Sequence, residues 1–92
     1  MKTNEILTAE QIKDLQKLGV TISLEAHVSL SDMINLILSN GCLIQLEPHG
    51  NGGVFAQSGG FWCIREDVVD AVHTLLCSLI IRKEIASNVI IF

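Results

Sequence analysis

Apolar and polar positions along the chain fall into short blocks whose period switches between about 3.6 residues and 2, with glycines between blocks. After a short lead over residues 1–7, Thr8 begins a helix. Thr8 and Gln11 have the spacing of a capping box, Leu7 and Ile12 that of a hydrophobic staple, and Ile12, Leu15 and Leu18 line one face up to Gly19. Val20 to Ala26 alternates strictly, with Val20, Ile22, Leu24 and Ala26 on one side, which predicts a half-buried strand. Ser29 to Asn40 returns to helical spacing. Ser29 or Ser31 serves as N-cap, Asp32 lies in the first turn, and Leu30, Met33, Ile34, Ile37 and Leu38 form the apolar stripe before Gly41.

The second half reads as three strands and a helix. Cys42 to Glu47 forms a strand with Cys42, Ile44 and Leu46 on one side, Pro48 to Gly53 turns, and Val54 to Gln57 returns. Ser58-Gly59-Gly60 turns again into Phe61 to Ile64, completing an antiparallel meander. Glu66 to Ala86 is the longest helix, with Val68, Val72, Leu75, Leu76 and Leu79 as its core stripe and Asp70, Thr74, Ser78 and Arg82 opposite. Its acidic start (Glu66, Asp67, Asp70) and basic end (Arg82, Lys83) complement the helix dipole. The order α-β-α-β-β-β-α predicts an α+β fold in a single domain, residues 1–92: a small antiparallel or mixed sheet with helices packed on one face.

From Cys42 to Ile81 the chain resembles the β-β-β-α tail of HicB-type antitoxin domains, and also the small α/β-sandwich proteins of bacteriophages. The likeness rests on the Gly50-Asn51-Gly52-Gly53 turn, the strand pairs and the helix running from Glu66 to Leu79. It carries over no functional residue. It implies a small protein that sequesters or blocks a partner, as a phage counter-defence protein would in the host cytoplasm, or an antitoxin-like partner of a toxin.

Composition changes the picture in one respect. Hydrophobic residues make up 49% of the 92 residues and charged ones only 17%, against roughly 25% charged in an average domain. A chain this short buries about 60–65% of its unfolded surface, so part of this apolar material is expected to close against another copy. The long helix supplies a candidate interface. At about 100° per residue, Ile80, Ile81 and Ile85 fall outside the core stripe. Together with Ile90 and Phe92 of the apolar tail they are the expected homo-oligomer contacts.

Charge excludes other partners. The net charge is −4 with six basic residues, and Arg82-Lys83 is the one adjacent basic pair, so the clustered cations that nucleic acid demands are missing. The longest apolar stretch, Val68 to Ile85, is interrupted by Asp70, His73, Arg82, Lys83 and Glu84 and falls short of a membrane span. Met1 to Glu5 lacks the basic-then-apolar pattern of a signal peptide, so a cytoplasmic protein is expected.

Candidate chemistry is sparse. The glycine-rich turn can present backbone N–H groups to a small anion, with His49, Gly50, Asn51, Gly52 and Gly53 as ligand-binding residues. Trp62, the lone tryptophan, joins them as an aromatic anchor, facing away from Phe61 and Cys63 on its strand. Cys42, Cys63 and Cys77 form no CxxC pair and read as reduced, buried thiols. Cys63 with His27, His49 or His73 is the alternative, a small thiol–imidazole enzyme. No dense Cys/His cluster is present, so neither a metal nor a cofactor is expected. The reading these features favour is a non-catalytic binding module, working as a homo-oligomer, whose partner is a protein or a small anionic ligand.

Overall fold

The computed structural model describes residues 6–22, 28–50, 52–85 and 90–91. Eight elements follow in order: α1 (Ala9–Lys17), β1 (Thr21–Ile22), α2 (Leu30–Ser39), β2 (Gln45–His49), β3 (Gly53–Ser58), β4 (Phe61–Arg65), α3 (Val68–Ile81) and β5 (Ile90–Ile91). The fold is α+β, with β2-β3-β4 as an antiparallel sheet and β1-β5 as a separate two-stranded parallel pair.

Local chemistry sets the helix starts. Thr8 and Gln11 exchange the two hydrogen bonds of a capping box at α1, 3.2 and 3.0 Å. Ser29 and Asp32 do the same at α2, 3.1 and 2.9 Å, so Ser29 is the N-cap rather than Ser31. Asp67 caps α3 by accepting from the Asp70 N–H at 2.8 Å. In α2 the buried stripe centres on Met33 and Ile37, both 0% exposed. Leu36 packs half-buried beside it. Leu38, placed by spacing in the same stripe, lies about 100° beyond Ile37 and faces solvent.

Helix α3 is the centre of the molecule. Val69, Ala71, Val72, His73, Leu75, Leu76, Leu79 and Ile80 are all buried, a distribution too wide for one stripe and typical of a helix covered on several sides. The sheet covers one side through β3 and β4, while α2 and α1 pack elsewhere on it. On the inner sheet face Ala56, Ser58 and Cys63 are buried, and the Cys63 thiol donates to the Ala71 carbonyl of α3 at 3.4 Å. Val20 and Ile22 are buried on either side of the exposed Thr21, as the alternation predicts; the rest of that predicted strand, residues 23–27, lies outside the described residues.

Two elements end where the sequence pattern does not place them. The strand expected over Cys42–Glu47 runs instead over Gln45–His49, with Pro48 paired to Val54 and His49 to Gly53. β2 is a sheet edge, where proline's missing N–H can be tolerated. The turn shrinks accordingly to residues 50–52, with Gly50 at φ 55° and Gly52 at φ 94°, both in the left-handed region that glycine enters freely.

Helix α3 stops at Ile81, not near Ala86. Lys83 takes φ 64°, its N–H donates to the Ile80 carbonyl at 3.0 Å, and the Glu84 N–H donates to the Leu79 carbonyl at 2.9 Å. These are the two bonds of a Schellman motif. α1 and α2 are followed by Gly19 and Gly41 at positive φ, whereas here a lysine occupies the left-handed position. The reversal sends Ile85 back into the core at 0% exposure.

This corrects the expected interface. Ile80 and Ile85 are buried within the chain at 3% and 0%, and only Ile81, at 63%, stands in solvent. Ile90 belongs to a strand paired in parallel with β1 of its own chain, Thr21 to Ile90 and Ile22 to Ile91. Phe92 lies outside the described residues.

Two outcomes follow for stability. Lys83→Gly relieves left-handed strain and is expected to stabilise the fold by about 0.5–1 kcal/mol, a rise of roughly 2–8 °C in Tm; Lys83→Val is expected to lower it, both read by thermal unfolding. Ile81→Glu is expected to leave a folded chain by circular dichroism, whereas Ile85→Glu, which puts a charge into the core, unfolds it.

Candidate functional site

The three-stranded sheet has one face on α3 and one face open. Alternation along β3 and β4 turns Val54, Ala56, Ser58, Phe61 and Cys63 toward the helix. The same alternation turns Phe55, Gln57, Trp62 and Ile64 outward. Cross-strand register arranges the open face in rows: His49 with Gly53, then Glu47, Phe55 and Ile64, then Gln45, Gln57 and Trp62. Trp62 is 58% exposed, and its ring stacks on Phe55 with centroids 6.0 Å apart and planes at 25°.

Phe55 and Trp62 are diagonal neighbours, because Phe55 is registered against Ile64 and Trp62 against Gln57. Diagonal pairs lie within reach of aromatic side chains, and such a stack contributes about 0.5–1.5 kcal/mol beyond area burial. Gln45 donates to the Glu47 carboxylate along β2. The ionisable groups on this face are Glu47 and His49, at its β2 edge. The face thus groups Phe55, Trp62 and Ile64, with Gln45, Glu47, His49 and Gln57 beside them.

Of the residues proposed from sequence as a ligand site, the hairpin glycines lie together and Trp62 lies apart from them. Gly50 and Gly52 form the hairpin tip, His49 and Gly53 are paired strand residues, and Asn51 lies outside the described residues. Trp62 is registered four residues along β3 from Gly53, about 13 Å away at strand rise. Gly50, Gly52 and Gly53 line an open cavity of about 470 Å³ together with Glu47, Pro48 and Val68. Trp62 stands as the sequence suggested, facing outward from Cys63. Phe55, by contrast, goes unread in the sequence, and the signal that finds it is the diagonal register.

Among the described residues the cysteines meet one histidine, His73; His27, a candidate partner of Cys63, lies outside them. All three cysteines are free. Burial pushes the Cys63 thiol up, opposed in part by the Arg65 charge, and its sulfur is engaged with Ala71 rather than with a histidine. His73 meets Cys77 instead, Nε2 to Sγ at 3.5 Å. The same Nε2 lies 3.1 Å from the Gln11 backbone carbonyl, which only accepts, so Nε2 carries a proton and donates it. The thiol therefore sits beside an N–H and has no imidazole lone pair there to receive its proton. Burial, aided by the Asp14 carboxylate, pushes the Cys77 thiol up to about 11.

Asp70 and His73, three residues apart, meet on Gln11 rather than on each other: the Gln11 Nε2 donates to Asp70 Oδ1 at 2.8 Å. Among the described residues no group of three or more potential ligands is placed to hold a metal ion, and no helix is long and apolar enough to cross a membrane. The chain matches no protein-family model, and neither a similar curated protein nor a similar solved structure was found.

The thiol shifts give a pH dependence with a definite sign. A group whose pKa is raised on folding binds more protons in the native state, so stability falls as pH rises through that interval. With Cys77 raised from 9.0 to about 11 and Cys63 raised in the same sense, the unfolding free energy is expected to decline between pH 9 and pH 11. Denaturant titrations across that range measure it. Cys77→Ser and Cys63→Ala should together flatten the decline. Iodoacetamide at neutral pH is expected to leave Cys63 and Cys77 unmodified in the native chain, as peptide mapping would read.

Proposed function

We propose that the chain is a small non-catalytic binding module, working as a homo-oligomer, that engages protein surfaces through the open face of its sheet and acts by sequestering or blocking a partner. The observation that carries this reading is the exposed Trp62, stacked on the half-buried Phe55 beside the half-buried Ile64, on a sheet face that the chain's own helices leave uncovered. Trp and Phe side by side, with the amides of Gln45 and Gln57 next to them and Glu47 and His49 at the β2 edge, have the composition of an interface patch. Burial of Ile80 and Ile85 within the chain removes them as candidate contacts, while Ile81 at the end of α3 and Trp62 on the open face remain exposed. The alternative, a Cys/His enzyme, is disfavoured by the protonated Nε2 of His73 and the raised thiols.

Size sets the strength. Three strands of five, six and five residues span roughly 14 by 17–20 Å, well under the ~800 Å² per partner of a tight complex. Association through this face is therefore weak, with a dissociation constant on the order of 10–100 μM. Because Trp62 is the only tryptophan, its fluorescence reports the face directly. Emission is expected to shift to the blue between about 1 and 300 μM chain, while light scattering rises above the 10.0 kDa of a single chain. Trp62→Ala should weaken association about thirtyfold, the effect of an interface hot spot. A 10.0 kDa species with unshifted emission throughout would falsify the homo-oligomer.

A further inference from the structure

Away from the open sheet face, a cavity of about 240 Å³ lies between the end of α3, the connection from α2 to β2, and the turn from β3 to β4. Leu43 and Leu79 give it apolar walls, and Ser58, only 4% exposed, lines it. Two opposite charges, Arg82 and Glu84, share its lining. The Arg82 guanidinium lies over the β3–β4 turn, 3.6 Å from where a β-carbon on Gly60 would stand. Gly59, at φ 59°, has open space where a β-carbon would stand. Arg82 and Glu84 stand two residues apart and make no ion pair with each other or with any described residue. Each therefore keeps its charge available to an occupant.

The ligand class follows from charge and size. An anion alone would meet Glu84, and a cation alone would meet Arg82. A molecule bearing both charges a few ångströms apart satisfies both without cost from either. The volume is below the ~300–1,000 Å³ of a pocket for a drug-sized ligand, and an amino acid fills such a space. We propose that this cavity binds a small zwitterion of the α-amino-acid class, its carboxylate on Arg82 beside the Gly59-Gly60 turn, its ammonium on Glu84, and a short apolar side chain against Leu43 and Leu79. Planar Arg with two donors suits a carboxylate. The site shares no residue with the Phe55–Trp62 face, so each proposal stands or falls alone.

The test is a titration of the full chain, ¹⁵N-labelled, with L-alanine and L-valine up to about 10 mM, the weak end of specific binding. Saturable shifts at the Gly59 and Gly60 amides are expected. Acetate and methylammonium, each carrying one charge, should bind at least tenfold more weakly. Arg82→Gln and Glu84→Gln change exposed side chains, keep the fold by circular dichroism, and should each weaken binding at least tenfold. The proposal is overturned if neither amino acid produces a saturable shift, if acetate binds as well as alanine, or if a folded Glu84→Gln chain binds undiminished.

Discussion

Everything in this fold answers to one constraint: helix α3 must be covered on nearly every side. Eight of the fourteen residues from Val68 to Ile81 are buried, and no single neighbour is wide enough to hide them. The sheet takes the side that includes Ala71, and α2 and α1 take others. That arrangement explains why the helices gather on one face of the sheet. A helix that is apolar over most of its circumference draws every available apolar surface to itself, and the inner sheet face, with Ala56 and Cys63, is one of them. Among the described residues, the outer sheet face then has no helix of the chain packed on it.

Covering α3 so fully creates a second demand. His73 is a polar residue within the buried set, 7% exposed, and a buried polar group without a partner costs about 1–3 kcal/mol. Gln11 supplies the partner. Its side chain caps α1 by accepting from Thr8, its amide nitrogen reaches Asp70, and its carbonyl accepts from His73. One residue thus starts α1, docks α1 on α3, and selects the imidazole tautomer. The same tautomer removes the general base that a neighbouring thiol would need.

What was legible in the sequence was whatever depends on residues close together in the chain. The capping boxes at Thr8 and Ser29, the acidic start of α3, the alternation at Val20–Ile22 and the three-strand meander all rest on spacings of two to four residues. What was not legible depends on a residue doing an unusual job. Lys83 in a left-handed conformation ends α3 without the glycine that marks the other two helices, so the pattern read on through Ile85. Pro48 sits inside a strand because that strand is an edge, a fact of topology that no local pattern carries. In α2, Leu36 packs half-buried on the core and Leu38 faces solvent, a choice the apolar spacing of the helix does not carry. For the candidate site, strand alternation set Trp62 opposite Phe61 and Cys63 but left open which side faces solvent, and Phe55 was not legible. Its role rests on diagonal register with a residue seven positions away.

The open face has a further consequence for how such a chain behaves. An edge strand with free backbone groups invites unwanted pairing. β2 carries Pro48 and Glu47, and on β4 the Arg65 side chain donates to the Ile64 carbonyl at 2.8 Å, so both edges have features that blunt pairing through the backbone. The face between them has none: its two ionisable residues, Glu47 and His49, lie on β2, leaving Phe55, Trp62 and Ile64 unguarded. Blunted edges around an apolar face favour association face on rather than edge on. That geometry gives a bounded contact instead of an open-ended sheet, and it places recognition in side chains, where specificity can be set, rather than in the backbone, where it cannot.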